Sequence, residues 1–70
     1  MEIRHLECFL KIVRLGSFSK AAKVLPISQP AASKRIHAVE KELGLPVLYR
    51  QNRSLALTDI GQAVFERAQP

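Results

Sequence analysis

Six side chains between Gln29 and Lys41 set the chemistry open to this chain. Gln29, Pro30, Ser33, Lys34, His37 and Lys41 fall on one face of a single predicted helix, Ser28 to Gly44. A glutamine amide can pair with an adenine edge, a proline ring can touch a thymine methyl, and serine and lysine can donate to a base or a phosphate. This edge is short and polar at its start and positive further along. Each residue also has a plainer reading. Gln29 can sit in solvent, Pro30 can simply start the helix, and Ser33, Lys34 and His37 can be merely solvated. The other face weighs against the plain readings, because Ala32, Ile36, Val39 and Leu43 recur at the spacing of a core stripe. A helix held by one side, with donors and charge on the other, suits a groove of DNA.

A second basic site lies downstream. Arg50 and Arg53 flank a polar stretch, with no acid between them and Asp59. On a hairpin they would touch backbone or enter a narrow minor groove, whose negative potential favours arginine. The plain alternative is a soluble, charged turn. Ser17 and Ser19 open a short helix whose positive end could hold a phosphate. Lys20 and Lys23 read as solvated, Arg35 as a flank charge and His5 as a surface residue. The histidines, the cysteine and the acids show no metal-ligand spacing. No nucleophile, base and orienting group come together, so neither catalytic nor cofactor-binding residues are assigned.

The elements that must position these residues can be placed in order. Ile3 to Leu15 reads as a first helix on the repeat of Ile3, Leu6, Phe9, Leu10 and Val13. Cys8 falls across from that stripe and reads as a bystander thiol. Gly16 stops this helix. Ser17 caps a second one from Phe18 to Leu25, with Phe18, Ala21, Ala22 and Leu25 inside, and Pro26 ends it. Only Pro26 and Ile27 separate it from the cap Ser28, which makes a helix-turn-helix. Ser28 and Pro30 suit a helix start and Gly44 a helix end. Leu48–Arg50 against Leu55–Leu57 reads as a hairpin, with Arg50 and Arg53 at or near its tip. Thr58 caps a last helix from Asp59 to about Gln69, with Ile60, Val64 and Ala68 in one stripe and Phe65 off it. The fold expected is mainly α, a winged helix-turn-helix with a three-helix core, a two-stranded wing and the start of a linker helix.

Composition agrees with that reading. Seventy residues make at most one small domain, marginal by itself, so added contacts from a dimer or a larger parent are expected. Eleven Lys and Arg against six acids give a formal net charge of +5, which draws phosphate polymers or anionic membranes. No apolar run approaches the roughly 20 residues that cross a bilayer, and the charged start lacks a secretory core. A single cysteine allows no internal disulfide and fits a reducing cytoplasm.

The string Ala22-x-x-Leu25-x-x-Ser28-Gln29-Pro30-Ala31-x-Ser33-x-x-Ile36, followed by Glu40-x-x-Leu43-Gly44, resembles the DNA-binding domain of LysR-type transcriptional regulators. Gly16-Ser17-Phe18 upstream, and Arg50, Arg53, Leu57-Thr58 and Gly61 downstream, keep that family's register, so the likeness covers nearly the whole chain. The resemblance implies a winged helix-turn-helix over residues 1–58 that reads interrupted palindromes in double-stranded promoter DNA. It implies that residues 59–70 begin a linker helix through which the full-length protein forms a homodimer or tetramer. It also implies a larger effector-binding domain outside this chain, through which alone a small molecule would act. Lys34 stands where arginine is frequent, and a lysine lacks the bidentate fork. Val39, Val47-Leu48, Asn52 and Ala56 also depart from the commonest pattern, and Pro70 falls inside the expected linker.

Three functions compete. Sequence-specific promoter binding in the cytoplasm leads. A protein-docking module is disfavoured by the +5 charge and the polar Gln29–Lys34 edge. An enzyme lacks a catalytic constellation. A molybdate-dependent regulator has a similar winged domain, but the Ser28-Gln29-Pro30 start and the wing spacing lean towards the LysR type.

Overall fold

The computed structural model describes residues 2–51 and 54–69. Its elements run α1 (Ile3–Leu15), α2 (Phe18–Val24), α3 (Gln29–Leu43), β1 (Leu48–Gln51), β2 (Ser54–Leu57) and α4 (Asp59–Ala68). Each of the last three helices starts on a side-chain cap. The Ser17 hydroxyl accepts the Lys20 N–H at 3.1 Å, the Ser28 hydroxyl accepts the Ala31 N–H at 3.1 Å, and the Thr58 hydroxyl accepts the Gly61 N–H at 3.0 Å. These bonds satisfy donors that have no partner inside their own helix. Gly44 closes α3 at φ +76°, in the left-handed region that side chains disfavour, while its N–H returns to the Glu40 carbonyl. The helix α2 ends at Val24, one residue before the expected Leu25, and α4 ends at Ala68.

The core forms where α1, α2 and α3 meet. Phe9, Ile12, Ala21, Ala32, Ile36, Val39 and Val47 have no exposed surface. Leu43, Leu25, Ile27 and Phe18 pack against this centre half-buried. The alanines matter by being small, since Ala21 and Ala32 let two helix backbones approach a third.

Phe9 of the expected α1 stripe is buried and Leu6, Leu10 and Val13 pack half-buried against the core, but the packed face is wider than that stripe and leaves Ile3 out. Ile3 is 75% exposed, and Ile12 and Cys8 occupy the core beside Phe9. Ile3 starts its helix, where no element covers it. Widening the face to Cys8 and Ile12 brings α1 onto α3, the partner with which it makes its widest contact. Cys8 is therefore no bystander. Its thiol reaches the Ala32 carbonyl at 3.8 Å, and burial pushes its pKa up, against an opposing pull from Arg35. His5 is also more enclosed than expected, with 20% of its side chain exposed and Glu2 at 3.7 Å.

The strands pair antiparallel, with Leu48 opposite Leu57, Tyr49 opposite Ala56, Arg50 opposite Leu55 and Gln51 opposite Ser54. This is the expected hairpin, one residue longer at each strand's tip end. Alternation sets its two faces: Leu48 is buried, while Tyr49 and Ala56 are exposed. The α4 side chains Ile60, Val64 and Phe65 all pack on the core half-buried, so Phe65 finds its place beside the stripe.

Candidate nucleic-acid interface

Why the Gln29–Lys41 edge stays open follows from the packing of α3. Ala32, Ile36 and Val39 are buried without residue against α1 and α2. Rotation about the helix axis then leaves Gln29, Pro30, Lys34, His37 and Lys41 exposed and Ser33 half-buried. Gln29, Ser33, His37 and Lys41 follow one another at intervals of four residues. At 100° per residue that line drifts slowly around the helix, as an edge laid along a groove must. Fifteen residues make α3 roughly 22 Å long. Along this edge the N-terminal turn presents the neutral donors and the apolar ring, and Lys34 and Lys41 add positive charge further along.

The cap fixes the geometry at the start of this edge. Because the Ser28 hydroxyl accepts from Ala31, one of its two lone pairs is used, and its proton can still be donated to a ligand. Ser17 accepts in the same way from Lys20, and both Ser17 and Ser19 are half-buried at the start of α2. A phosphate there would meet α2 backbone donors first.

The wing is placed by its base. Arg50 lies in β1 opposite Leu55, and its side chain is outside what is described. Arg53 lies outside the described residues.

The base of the wing holds a set of bonds that residue patterns did not reveal. Glu40 Oε2 accepts the Val47 N–H at 2.9 Å. The Val47 carbonyl accepts the Thr58 N–H at 3.1 Å, and the Thr58 hydroxyl donates to the Pro46 carbonyl at 2.7 Å. Gly61 faces Val47 with no room for a Cβ, which would overlap the Val47 carbonyl oxygen. These contacts tie α3, the start of β1 and the start of α4 to one another. A sequence signal did exist, since Glu40, Thr58 and Gly61 keep fixed spacing, but it does not say what they bind. Beside them an open groove is lined by His37, Glu40, Lys41, Gly44, Leu45 and Pro46.

Among the described residues, no three His, Cys, Asp or Glu side chains gather as a metal site, and no helix is long and apolar enough to cross a membrane. The exposed side chains along α3 offer hydrogen bonding and charge.

Comparison with known proteins gives one answer at three levels. A family model described as "Bacterial regulatory helix-turn-helix protein, lysR family" matches residues 3–62. The HTH-type transcriptional regulator BudR of Klebsiella aerogenes is 43% identical over 68 residues, which are 97% of this chain and 48% of that protein. This chain thus spans about half the length of that curated relative. Among solved structures, the BenM DNA-binding domain in complex with catB site 1 DNA has a TM-score of 0.91 at 41% identity, over 97% of this chain and 76% of that one. The CbnR DNA-binding domain in complex with DNA also reaches 0.91, at 38% identity, over 97% of this chain and 78% of that one.

Proposed function

The chain belongs to the lysR family of bacterial regulatory helix-turn-helix proteins, and from that membership we infer that it binds double-stranded promoter DNA sequence-specifically, as the reading domain of a transcriptional regulator. The observation that carries this reading is the division of α3. In its apolar stripe Ala32, Ile36 and Val39 are fully buried and Leu43 half-buried, while Gln29, Pro30, Lys34, His37 and Lys41 on the opposite edge are exposed. In the proposed complex α3 enters the major groove. Gln29, Pro30, Ser33 and Lys34 meet base edges, and His37 lies near the backbone. Ser17, Ser19 and Ser28 take phosphate contacts where the chain approaches the duplex. The wing, residues 48–57, brings Arg50 and Arg53 to the backbone or minor groove.

Two solved relatives of this fold were crystallised or solved with DNA, which supports the same use of this surface. Lysine and arginine would supply the salt-sensitive part of the affinity by displacing counterions. The α3 side chains would supply discrimination, about 1–3 kcal/mol for each good base contact. Residues 59–70 begin the linker helix, through which the full-length regulator forms a homodimer or tetramer. A small-molecule effector acts on a separate domain beyond these residues, and the whole works in the cytoplasm as a regulator, not an enzyme.

The test is selection of binding sites from random-sequence duplexes, with the full-length parent or a chain extended through its linker helix. Recovery of an interrupted palindrome supports the reading. Binding that selects no sequence and ignores salt would instead favour a protein-docking role for the winged domain.

A further inference from the structure

Glu40 lies on α3 between His37 and Lys41 in the groove beside the reading edge, yet its carboxylate turns to the chain itself. Val47, which it holds, has no exposed surface. Both backbone groups of Val47 are tied, the N–H to the α3 side chain and the carbonyl to the N-cap residue of α4. A bond to an ionised acceptor is stronger than one between neutral groups, and leaving a buried N–H unpaired is costly. Otherwise the wing leaves α3 through four residues only, Gly44, Leu45, Pro46 and Val47, the first of them in a left-handed conformation.

We propose that Glu40 is a positioning residue for DNA binding, which sets the wing and the start of α4 relative to the recognition helix by holding the Val47 N–H. It touches no DNA. The inference rests on the DNA-binding reading above and deepens it. The lever is short but effective. A four-residue strand is about 13 Å long, so a tilt of about 10° at its base moves its tip by about 2 Å. That is enough to break a hydrogen bond between the wing and a phosphate. The start of the recognition edge, at Gln29, lies eleven residues upstream of Glu40, near the other end of α3, and is held by the Ser28 cap and the core, so it does not depend on this bond.

The test uses the chain extended through its linker helix, as in the site selection above, and a duplex that it selects from a random-sequence pool. The variants are Glu40→Gln, Glu40→Ala, Arg50→Ala and the Glu40→Ala/Arg50→Ala pair. The amide oxygen of glutamine can accept the same N–H, and alanine cannot. Glu40→Ala is expected to select the same bases but bind about tenfold more weakly, with a shallower salt slope. Glu40→Gln is expected to stay within about threefold of wild type, and the pair to lose less than twofold beyond Arg50→Ala, because residues acting as one unit are not additive. Amide exchange at Val47 and Thr58 is expected to accelerate in Glu40→Ala only. Should that variant not fold, Glu40→Met fills the space without supplying an acceptor. Wild-type binding by the acceptor-free variant, equal losses in the glutamine and alanine variants, multiplying losses in the pair, or unchanged exchange would each overturn the proposal. Wild-type binding by Arg50→Ala removes the Arg50 contact instead. Glu40 is then judged on the alanine and glutamine variants alone, where a loss restored by glutamine supports it and no loss refutes it. A wild-type chain that selects no duplex refutes the DNA-binding reading, and this proposal with it.

Discussion

Gly61 meets Val47 so closely that a side-chain carbon at position 61 would overlap the Val47 carbonyl oxygen and lie 2.9 Å from its carbonyl carbon. The helix α4 therefore starts directly on the base of the wing, and only a residue without Cβ fits between them. The obstacle is backbone, which cannot rotate away as a side-chain tip can. Gly61→Ala is expected to cost about 1–3 kcal/mol or more, as overpacking does. In a domain this small each kcal/mol lowers Tm by roughly 4–8 °C. Thermal melts by circular dichroism read it, and an unchanged Tm would show that α4 can slide freely off the wing.

Thr58 has two tasks at the same junction. Its hydroxyl accepts from Gly61 and donates to the Pro46 carbonyl, and the residue is 8% exposed. Thr58→Ser keeps both bonds. Thr58→Val keeps the shape and loses both, and is expected to destabilise by about 2 kcal/mol, the cap and a buried hydrogen bond together. Urea denaturation of the two variants should separate them, and equal midpoints would deny the hydroxyl its role.

Gln29 and Lys41 lie at opposite ends of the exposed edge of α3, and should fail differently when removed. Gln29→Ala is expected to lose about 1–3 kcal/mol of preference at one base position. Lys41→Ala is expected to weaken all duplexes alike and to reduce the salt slope by about one. Gel-shift titrations on selected and scrambled duplexes at several salt concentrations distinguish these patterns. A Gln29→Ala variant with intact preference would take Gln29 off the base edge.

Lys34 offers a gain rather than a loss. It is exposed one turn beyond Pro30, and arginine adds the planar fork that pairs with guanine O6 and N7. Lys34→Arg is expected to sharpen preference for guanine at one position by about tenfold, which is about 1.4 kcal/mol. Repeating site selection with the variant measures this. An unaltered base profile would put residue 34 on phosphate.

Cys8 predicts a pH dependence. Burial raises the folded thiol's pKa above its ordinary value of 9.0. Below that value both folded and unfolded chains keep the proton and the thiol contributes its full stability. As pH rises past 9.0 the unfolded chain ionises first, so stability falls towards the folded pKa. Urea midpoints measured from pH 7 to 10 should decline more in wild type than in Cys8→Ala. Alkylation of the native chain should be slow, and labelling as fast as in the unfolded chain would contradict the burial of this thiol.

The sequence by itself determined the elements and the exposed polar edge of α3. Ser17, Ser28 and Thr58 cap the helices that their types and positions predict, and the four-three-four spacing of Ala32, Ile36, Val39 and Leu43 points α3 the right way round. These signals are local, since a cap bonds within its own first turn and a helical stripe repeats within a few residues. The tertiary structure alone decided how wide the packed face of α1 is. Contact with the rest of the core adds Cys8 and Ile12 to the stripe of Leu6, Phe9, Leu10 and Val13, and leaves Ile3 exposed. It alone decided the partners of Glu40, Thr58 and Gly61 as well. Their bonds and close contact join Pro46 and Val47 to residues 7 to 14 positions away, and such pairings exist only once three elements converge. Charge and periodicity record what each segment can do, whereas distance between segments is set by packing.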